Sequence, residues 1–534
     1  MTAINRNTSS KYEDIIKKSV WIRSGPPAVY QLRPQIETIG NKRRITFGER
    51  NPTKINKSIL LVGETGAGKS TLINALVNYT MGVKWEDEIW FQIVQGDTEK
   101  KLTESQTSDV IVYEIFGFED ETLPFSLTII DTPGFGNTEG IDHDKFISPK
   151  LLDLFKSEDG VHEVHAVGLV MKATDNRMND KPRYMFDSMM SLFGKDLEKN
   201  IVALITHSDG RKPKSPLKAL EKAKIKCAKN EKNQPIYFLF NNCQDEERTE
   251  EEEFLKQANE ISARGMKLFT AFLEKGEPQK LYESVEVLRK RINLTACIEN
   301  LKQRITTKET KQTELKQIQN ALQENEEEMK RNENFIVEID EVYKDKEPVD
   351  GGIWGLVFYQ GVVCCTVCEE NCHYPGCTMA WKPQHCEVMK DGKCTSCTGK
   401  CPATNHVKEK YKFVTKTRKV QKTMKDMKQK YEKNKSESEN YLSVLENVEN
   451  EMKKNTAEKT QLLDESYQHV VRLEQIALKA DSAYTIVHLD FLIEEMKKEG
   501  DTAKVQKLDE MRRRVDEGTK RAARYMKAMG GKNK

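Results

Sequence analysis

The chain has 534 residues, with 86 Lys and Arg against 84 Asp and Glu. The net charge of +2 gives no global argument for nucleic acid or an anionic membrane as partner. Charged residues make up 32% and hydrophobic ones 37%, a balance that suits long solvated helices better than one compact globule. The polar start "MTAINRNTSSKYEDIIKK" has no apolar secretory core, and no apolar run is long enough for a transmembrane helix. The expectation is therefore a cytoplasmic protein, in which clustered cysteines point to metal before disulfides.

Residues 1–55 contain Pro26, Pro27, Pro34 and Pro52 and little periodicity. They read as a partly disordered tail with a short lead-in strand near "RRITFGE". Residues 56–275 change texture. The β-rich runs "SILLV", "DVIVYEI", "FSLTIID", "VHAVGLVM", "NIVALIT" and "PIYFLFN" alternate with helical patterns, which predicts an α/β domain with a mainly parallel sheet.

The first β-run leads into "LLVGETGAGKSTLINAL". Gly63, Glu64, Thr65, Gly66, Ala67, Gly68, Lys69, Ser70 and Thr71 form a phosphate-loop pattern between a strand and a helix. The glycines let backbone N–H groups turn toward phosphates. Lys69 supplies a point charge, and the Ser70 hydroxyl is placed to ligate Mg2+. The segment "LTESQTSDVIVYEI" offers a switch threonine; Thr107 is the choice for it, with Thr103 and Ser105 as rivals. In "IIDTPGFG", Asp131 ends a strand and can hold a magnesium-bound water, while Gly134 offers an N–H to a γ-phosphate. Lys69, Thr107 and Gly134 are the expected catalytic group. Phe135 stands where many small GTPases carry a water-orienting glutamine, so slow intrinsic hydrolysis is expected.

Base selection is read from "IVALITHSDG". Thr206-His207-Ser208-Asp209 resembles the guanine motif N/T-K-x-D, in which the carboxylate accepts from the N1–H and 2-amino groups; His207 departs from it, standing where a lysine usually packs along the base, and its imidazole can stack there instead. The run "FLFNNC" then places Asn241 and Asn242 beside base and ribose. This order of motifs resembles a translation-factor-type GTPase domain. Within that class, "GETGAGKST", "SQT", "DTPG", the segment ending in "NIVALITHSD" and "FNN" resemble the immunity-associated (GIMAP/IAN, AIG-type) GTPases, close to septins and the chloroplast Toc receptor GTPases. The resemblance covers residues 57–272. It implies binding of GTP and GDP with Mg2+ and dimerisation of G domains across the nucleotide. The expected function is a switch or assembly GTPase.

Beyond the G domain, residues 279–347 and Ala403–Glu499 lack Gly and Pro. Leu301, Leu315, Leu322, Met329 and Ile336 fall on one heptad position. Val420, Met424, Met427 and Tyr431 step by four, three and four. The half-polar seams predict an antiparallel coiled-coil hairpin, ascending over 279–347 and descending over 403–480. Sixty residues of helix would extend about 90 Å. Residues 481–534 read as C-terminal helices with a basic tail that contacts anionic lipid or, more plainly, is solvated.

Nine of the twelve cysteines lie within 38 residues at the hairpin's tip, 348–402. Cys365-x2-Cys368-x3-Cys372 is echoed by Cys394-x2-Cys397-x3-Cys401. His373, Cys377, Cys386 and His406 complete a ligand set sufficient for two zinc ions, with His385 a further candidate. An iron–sulfur cluster and disulfides are the rival readings. For the whole chain, the alternatives to a GTPase are an SMC-like mechanical ATPase with a zinc hook and a scaffold or ubiquitin-ligase-like protein. The SMC reading requires a C-terminal half-site, and residues 480–534 contain only polar helical patterns. The sequence names no effector.

Overall fold

The structure is a computed structural model. It describes residues 9–39, 42–94, 110–119, 121–134, 147–174, 188–222, 224–248, 252–324, 336–349, 353–354, 358–359, 361–377, 382–423, 426, 441–479, 482–515, 517, 519–521 and 523–524. The chain divides into two compact units. One comprises Met1–Arg289, Leu473–Val487 and Met511–Lys534; the other comprises Lys290–Arg472 and His488–Glu510.

The first unit is built on an eight-stranded sheet. Its strands are β3 (Gln35–Ile39), β4 (Lys42–Phe47), β5 (Asn56–Gly63), β7 (Ile111–Ile115), β8 (Ser126–Asp131), β9 (Ala166–Lys172), β10 (Ile201–Thr206) and β11 (Tyr237–Leu239). Their spatial order is β11-β10-β9-β5-β8-β7-β4-β3. The β7–β8 and β3–β4 pairs are antiparallel and the other pairs are parallel. Strands β5, β8 and β10 are buried almost throughout. Covering helices account for this, because a parallel sheet hides both faces. They include α2 (Lys69–Thr80), α3 (Ile147–Lys156), α4 (Lys214–Lys222) and α5 (Glu252–Lys275).

The N-terminal segment corrects the expectation of a poorly ordered tail. Residues Ser9–Lys18 form helix α1, and β1 (Val20–Arg23) pairs with β2 (Ala28–Gln31), which pairs with β6 (Ile89–Gln92). Tyr12, Val29 and Leu32 are buried in the core shared with Phe91. The Tyr12 hydroxyl donates to the Gly82 carbonyl at 2.8 Å. A few apolar anchors spaced without period fix this stretch through contacts made far along the chain. The lead-in strand does form, as β4.

In the second unit the helical hairpin is only partly present. Helix α6 runs Tyr282–Glu324 and α7 runs Tyr441–Ile476, followed by α8 (Ala483–Glu499) and α9 (Thr502–Arg514). Residues 336–347 and 411–423, expected inside the two long helices, lie instead in the strands β12 (Ile336–Pro348) and β16 (Tyr411–Thr423). They pair antiparallel from Ile336↔Thr423 to Pro348↔Tyr411. Ile339 faces Val420 and Val342 faces Thr417; with Val337, Tyr343, Val414 and Thr415 these are β-branched and aromatic types that favour a pleated surface. Ion pairs cross the ribbon: Glu341 with Arg418 at 2.8 Å and Lys422 at 2.9 Å, and Asp345 with Lys416 at 2.7 Å. The zinc-hook reading requires a continuous helical hairpin, which this ribbon interrupts. The heptad positions Met424, Met427 and Tyr431 lie outside the described residues.

Between the ribbon strands sits the Cys-rich module. Strand β13 (Gly361–Cys365) is flanked antiparallel by β14 (Glu370–Cys377) and β15 (His406–Glu409). Its interior is mostly cysteine: Cys365, Cys372, Cys377, Cys386, Cys394, Cys397 and Cys401 cluster with Val363 and Val388. Among the described residues no helix is long and apolar enough to cross a membrane.

Candidate functional site

The first candidate site gathers at the carboxyl ends of β5, β8 and β10, where ligands settle in open α/β sheets. Strand β5 delivers Gly63, and the loop Glu64–Gly68 turns into α2. Gly68 has φ 90°, in the left-handed region open to glycine. A Cβ there would meet the Thr206 Cγ2 at 3.3 Å. Lys69 is buried, and its Nζ donates to the Gly63 and Glu64 carbonyls at 3.1 and 3.2 Å. Burial pushes its ammonium down from the ordinary lysine value, and the Asp131 and Glu64 carboxylates oppose that shift. Ser70 is half-buried, Thr71 exposed and Ala67 buried.

Strand β8 places Asp131, fully buried, at its end beside β5 and β7. Three residues on, Gly134 lies against the phosphate loop. A Cβ at Gly134 would come within 2.4 Å of Thr65 Oγ1 and 2.7 Å of Thr65 Cα. Thr65 Oγ1 is itself buried, with no hydrogen-bond partner among the described residues. Such a lined polar recess, with a carboxylate and an ammonium in mutual reach of influence, suits Mg2+ and phosphate. Thr107, Thr103, Ser105 and Phe135 lie outside the described residues.

The base-reading elements come from β10 and β11. Thr206 ends β10 buried, and its Oγ1 makes contacts with the Ala67 carbonyl at 2.7 Å and the Met171 carbonyl at 3.1 Å. His207 follows at φ 49° and turns the chain outward. Asp209 stays 70% exposed, with one carboxylate oxygen accepting the Arg211 N–H at 2.9 Å. The buried Ser208 N–H donates to the Phe240 carbonyl at 3.0 Å, which joins this loop to the strand end before Asn241. Ser262, on α5, holds both asparagines: its Oγ accepts the Asn241 N–H at 2.9 Å and donates to Asn242 Oδ1 at 2.8 Å. Asn242 Nδ2 is buried with no partner among the described residues. Ser262 escaped sequence reading because helix periodicity is its only signal; nothing in the local pattern marks it as a loop anchor.

The second candidate site is the cysteine module, and its ligand atoms fall into three groups. Cys365, Cys368, Cys397 and Cys401 form one; Cys372, Cys394, Cys397 and His406 form the next; His373, Cys377 and Cys386 form the third. Within each group the ligand atoms all lie within 4.8 Å of one another. The Cys368 and Cys401 sulfurs are 3.6 Å apart, and those of Cys377 and Cys386 are 3.8 Å apart. A disulfide needs about 2.05 Å, whereas thiolates at about 2.3 Å from a tetrahedral ion stand roughly 3.8 Å apart. His406 Nδ1 lies 2.9 Å from the Pro402 carbonyl, to which it donates, while its buried Nε2 has no hydrogen-bond partner among the described residues. That arrangement leaves Nε2 as a metal donor in the required tautomer.

Backbone N–H groups supply outer support. Those of Cys368, Gly399, Cys397 and Cys401 donate to Cys365, Cys368, Cys394 and Cys397 sulfurs at 3.2–3.4 Å. Helix α6 clamps both knuckles: Asn300 Nδ2 donates to the Ser396 carbonyl at 3.1 Å, and Arg304 pairs with Glu370 at 2.7 Å. Glu370 in turn accepts the Thr398 N–H at 2.8 Å. The ninth cysteine, Cys364, stands apart. Its sulfur lies 3.6 Å from Asn371 Oδ1, and burial pushes its thiol up to about 12. His385 is exposed and joins no group.

Residues 53–151 match the family model described as Septin. Septin-9 of Mus musculus is 35% identical over 80 residues, 15% of this chain and 12% of that protein. Septin CDC11 of Candida albicans is 28% identical over 174 residues, 30% of this chain and 39% of that protein. The chain thus spans well under half the length of these curated relatives. Among solved structures, Toc33 from Arabidopsis thaliana with Mg2+ and GMPPNP overlaps at 15% identity. The overlap covers 42% of this chain and 88% of that one, with a TM-score of 0.27. Elongation factor SelB from Methanococcus maripaludis overlaps at 13% identity, covering 42% of this chain and 35% of that one, with a TM-score of 0.24. Neither overlap carries an argument about this chain. The sheet and loop geometry define an α/β domain with a phosphate-loop architecture, and within it residues 53–151 are similar to the septin family.

Proposed function

We propose that this chain is a GTP-binding switch or assembly protein that hydrolyses GTP slowly and does so when two G domains pair across the nucleotide. The observation that carries this reading is the Thr206–Ala67 contact of 2.7 Å. It ties the proposed base-reading loop to the phosphate loop, which supports a single nucleotide spanning both. Lys69 meets the β- and γ-phosphates once it leaves the carbonyls it now holds. Ser70, Asp131 and Thr107 would hold Mg2+, which supplies charge neutralisation at the phosphates. Gly134 presents its N–H to the γ-phosphate. Asp209, exposed at the loop tip, accepts from the guanine N1–H and 2-amino groups, and His207 stacks on the base.

Hydrolysis adds water to the γ-phosphorus, breaks the bond to the β-phosphate oxygen, and releases GDP and phosphate with the water's proton. Phe135 has no group to orient that water. The missing contribution then comes from a second protomer or a partner, and hydrolysis per chain rises with concentration. The finer assignment to the immunity-associated, AIG-type branch rests on "GETGAGKST", "SQT", "DTPG", "FNN" and above all the segment from "VHAVGLVM" through "LFG" to "NIVALITHSD". The cysteine module is, in the same proposal, a zinc-folded element that stabilises the second unit, and α6 and α7 supply a further oligomer contact.

Nucleotide competition tests the reading. GTP displaces a labelled guanine nucleotide from the purified protein and ATP does not. Asp209→Asn loses GTP and gains xanthosine triphosphate, because its amide donates where guanine requires an acceptor. Equal competition by ATP would falsify guanine specificity. A specific activity that stays flat across a hundredfold range of protein concentration would exclude the dimer-completed site.

A further inference from the structure

The zinc reading treats the module as a pair of ordinary knuckle sites, and the ligand geometry is not compatible with that. Two separate tetrahedral ions need eight ligand atoms. The first two groups contain Cys365, Cys368, Cys401, Cys372, Cys394, His406 and Cys397, with Cys397 common to both. These residues supply eight positions only if the Cys397 sulfur counts twice. Its placement permits this. The Cys397 sulfur faces ligands of both groups while its outer side accepts the Cys401 N–H at 3.2 Å. The third group shares no ligand with the others. His373 Nδ1 lies 3.1 Å from the Cys386 sulfur, which lies 3.8 Å from that of Cys377, and all three residues are buried.

We propose that the module binds three zinc-like ions per chain: a two-metal cluster bridged by the Cys397 thiolate, and a separate ion on His373, Cys377 and Cys386 whose fourth position takes a ligand from outside the protein. This rests on the reading that the module binds zinc at all. No fourth His, Cys, Asp or Glu joins the third group among the described residues. The segment 378–381, between Cys377 and the next described residue, reads Thr-Met-Ala-Trp and contains none of those four types. Three protein ligands plus an open position is the pattern of exchangeable and reactive centres, whereas four protein ligands close a structural site. The third ion is therefore the labile one, and it can accept a thiolate, an imidazole or another small donor. The bridged pair, held inside the cysteine cluster and clamped by α6, is the folding core of the module.

Metal analysis of the full-length reduced protein distinguishes the outcomes. The expected content is three zinc ions per chain. A competing chromophoric chelator releases one third of the metal in a fast phase and the remainder at least tenfold more slowly. Cys386→Ser holds two ions and lacks the fast phase. Cadmium-113 substitution gives three resonances, two of them split by mutual coupling through the shared sulfur and one unsplit. The chelator experiment on wild type stands even if the variant fails to fold. Fewer than one ion per chain would defeat the zinc reading itself. Two ions released in one phase would leave that reading standing and overturn the third centre. Three uncoupled cadmium resonances would overturn the bridge.

Discussion

The Thr206 hydroxyl and the Ala67 carbonyl oxygen lie 2.7 Å apart, joining the end of β10 to the phosphate loop across 139 positions of sequence. The hydroxyl also stands 3.1 Å from the Met171 carbonyl, so its one proton is shared between two buried acceptors. Replacing it by a methyl removes that donor from both carbonyls at a position only 4% exposed. Thr206→Val should weaken GTP binding roughly tenfold, about 1.4 kcal/mol, within the usual cost of a lost buried hydrogen bond. Thr206→Asn, which can still donate to Ala67, should recover most of that loss. Isothermal titration of both variants checks the pair; equal affinity in Thr206→Val and wild type would remove the coupling.

Gly134 makes the second prediction. Its Cα sits so close to the phosphate loop that a methyl would overlap Thr65 backbone atoms at 2.7 and 2.8 Å. Backbone cannot yield as a flexible side chain can. Gly134→Ala should displace the loop after β8 and lower GTP hydrolysis by about tenfold, or ~1.4 kcal/mol of barrier. Far-UV circular dichroism should remain that of the wild type, because the strain falls on a loop and not on the sheet. Single-turnover hydrolysis measures the effect.

In the second unit, Asn371 is a buried hub. Its amide donates to Gln303 Oε1 at 2.7 Å and to the Phe413 carbonyl at 2.8 Å, and its oxygen accepts the Phe413 N–H at 2.8 Å. Asn371→Ala would leave both backbone groups of Phe413 unmet, at a cost of roughly 2–4 kcal/mol. Amide hydrogen exchange should accelerate across residues 361–377 and 411–423, with the nucleotide-binding unit unchanged. Exchange at the wild-type rate in these strands would show that water replaces the lost partner.

The fourth prediction concerns pH. His165 is 4% exposed, and its Nδ1 accepts the Ser58 N–H at 3.1 Å. Burial, and secondarily the Lys57 ammonium, push it down to about 4. An unfolded histidine titrates near 6.5. Between those values the unfolded chain takes up a proton that the folded chain refuses. Stability from this group is therefore complete above pH 6.5 and is lost as the pH falls toward 4, by an amount on the order of 1–3 kcal/mol. His165→Asn, whose side-chain oxygen can accept the same N–H, should flatten that slope. Urea midpoints at pH 7.5 and 5 for both proteins provide the comparison.

The proposed nucleotide site is legible because the chemistry it would perform is local. A phosphate loop needs its glycines, lysine and serine within a few residues, so "GETGAGKST" announces Lys69 and Ser70, and "DTPG" and "THSD" announce Asp131, Gly134 and Asp209. The partners that hold those loops in place were not legible: Ser262 behind Asn241 and Asn242, and Ala67 beneath Thr206. Each such contact joins residues whose separation no local pattern records.

The cysteine module divides the same way. Its C-x2-C-x3-C repeats identified the candidate ligand types, because a metal accepts few side chains and short spacings bring pairs together. They could not assign partners, since Cys372 belongs with Cys394 and His406 while its neighbour His373 belongs with Cys377 and Cys386. Adjacent residues on a strand point to opposite faces, so β14 sends neighbouring ligands to different centres. The ribbon was misread for a related reason. Charged, β-branched sequences such as "IVEIDEVYKDKEP" and "YKFVTKTRKVQKT" fit either a polar helix seam or a strand. Only pairing with each other, which satisfies their backbone groups and sets Glu341 against Arg418 and Lys422, decides for the sheet. The sequence by itself determined which residue types each candidate site carries; the tertiary structure decided which distant groups share a site, because that depends on which backbones pair.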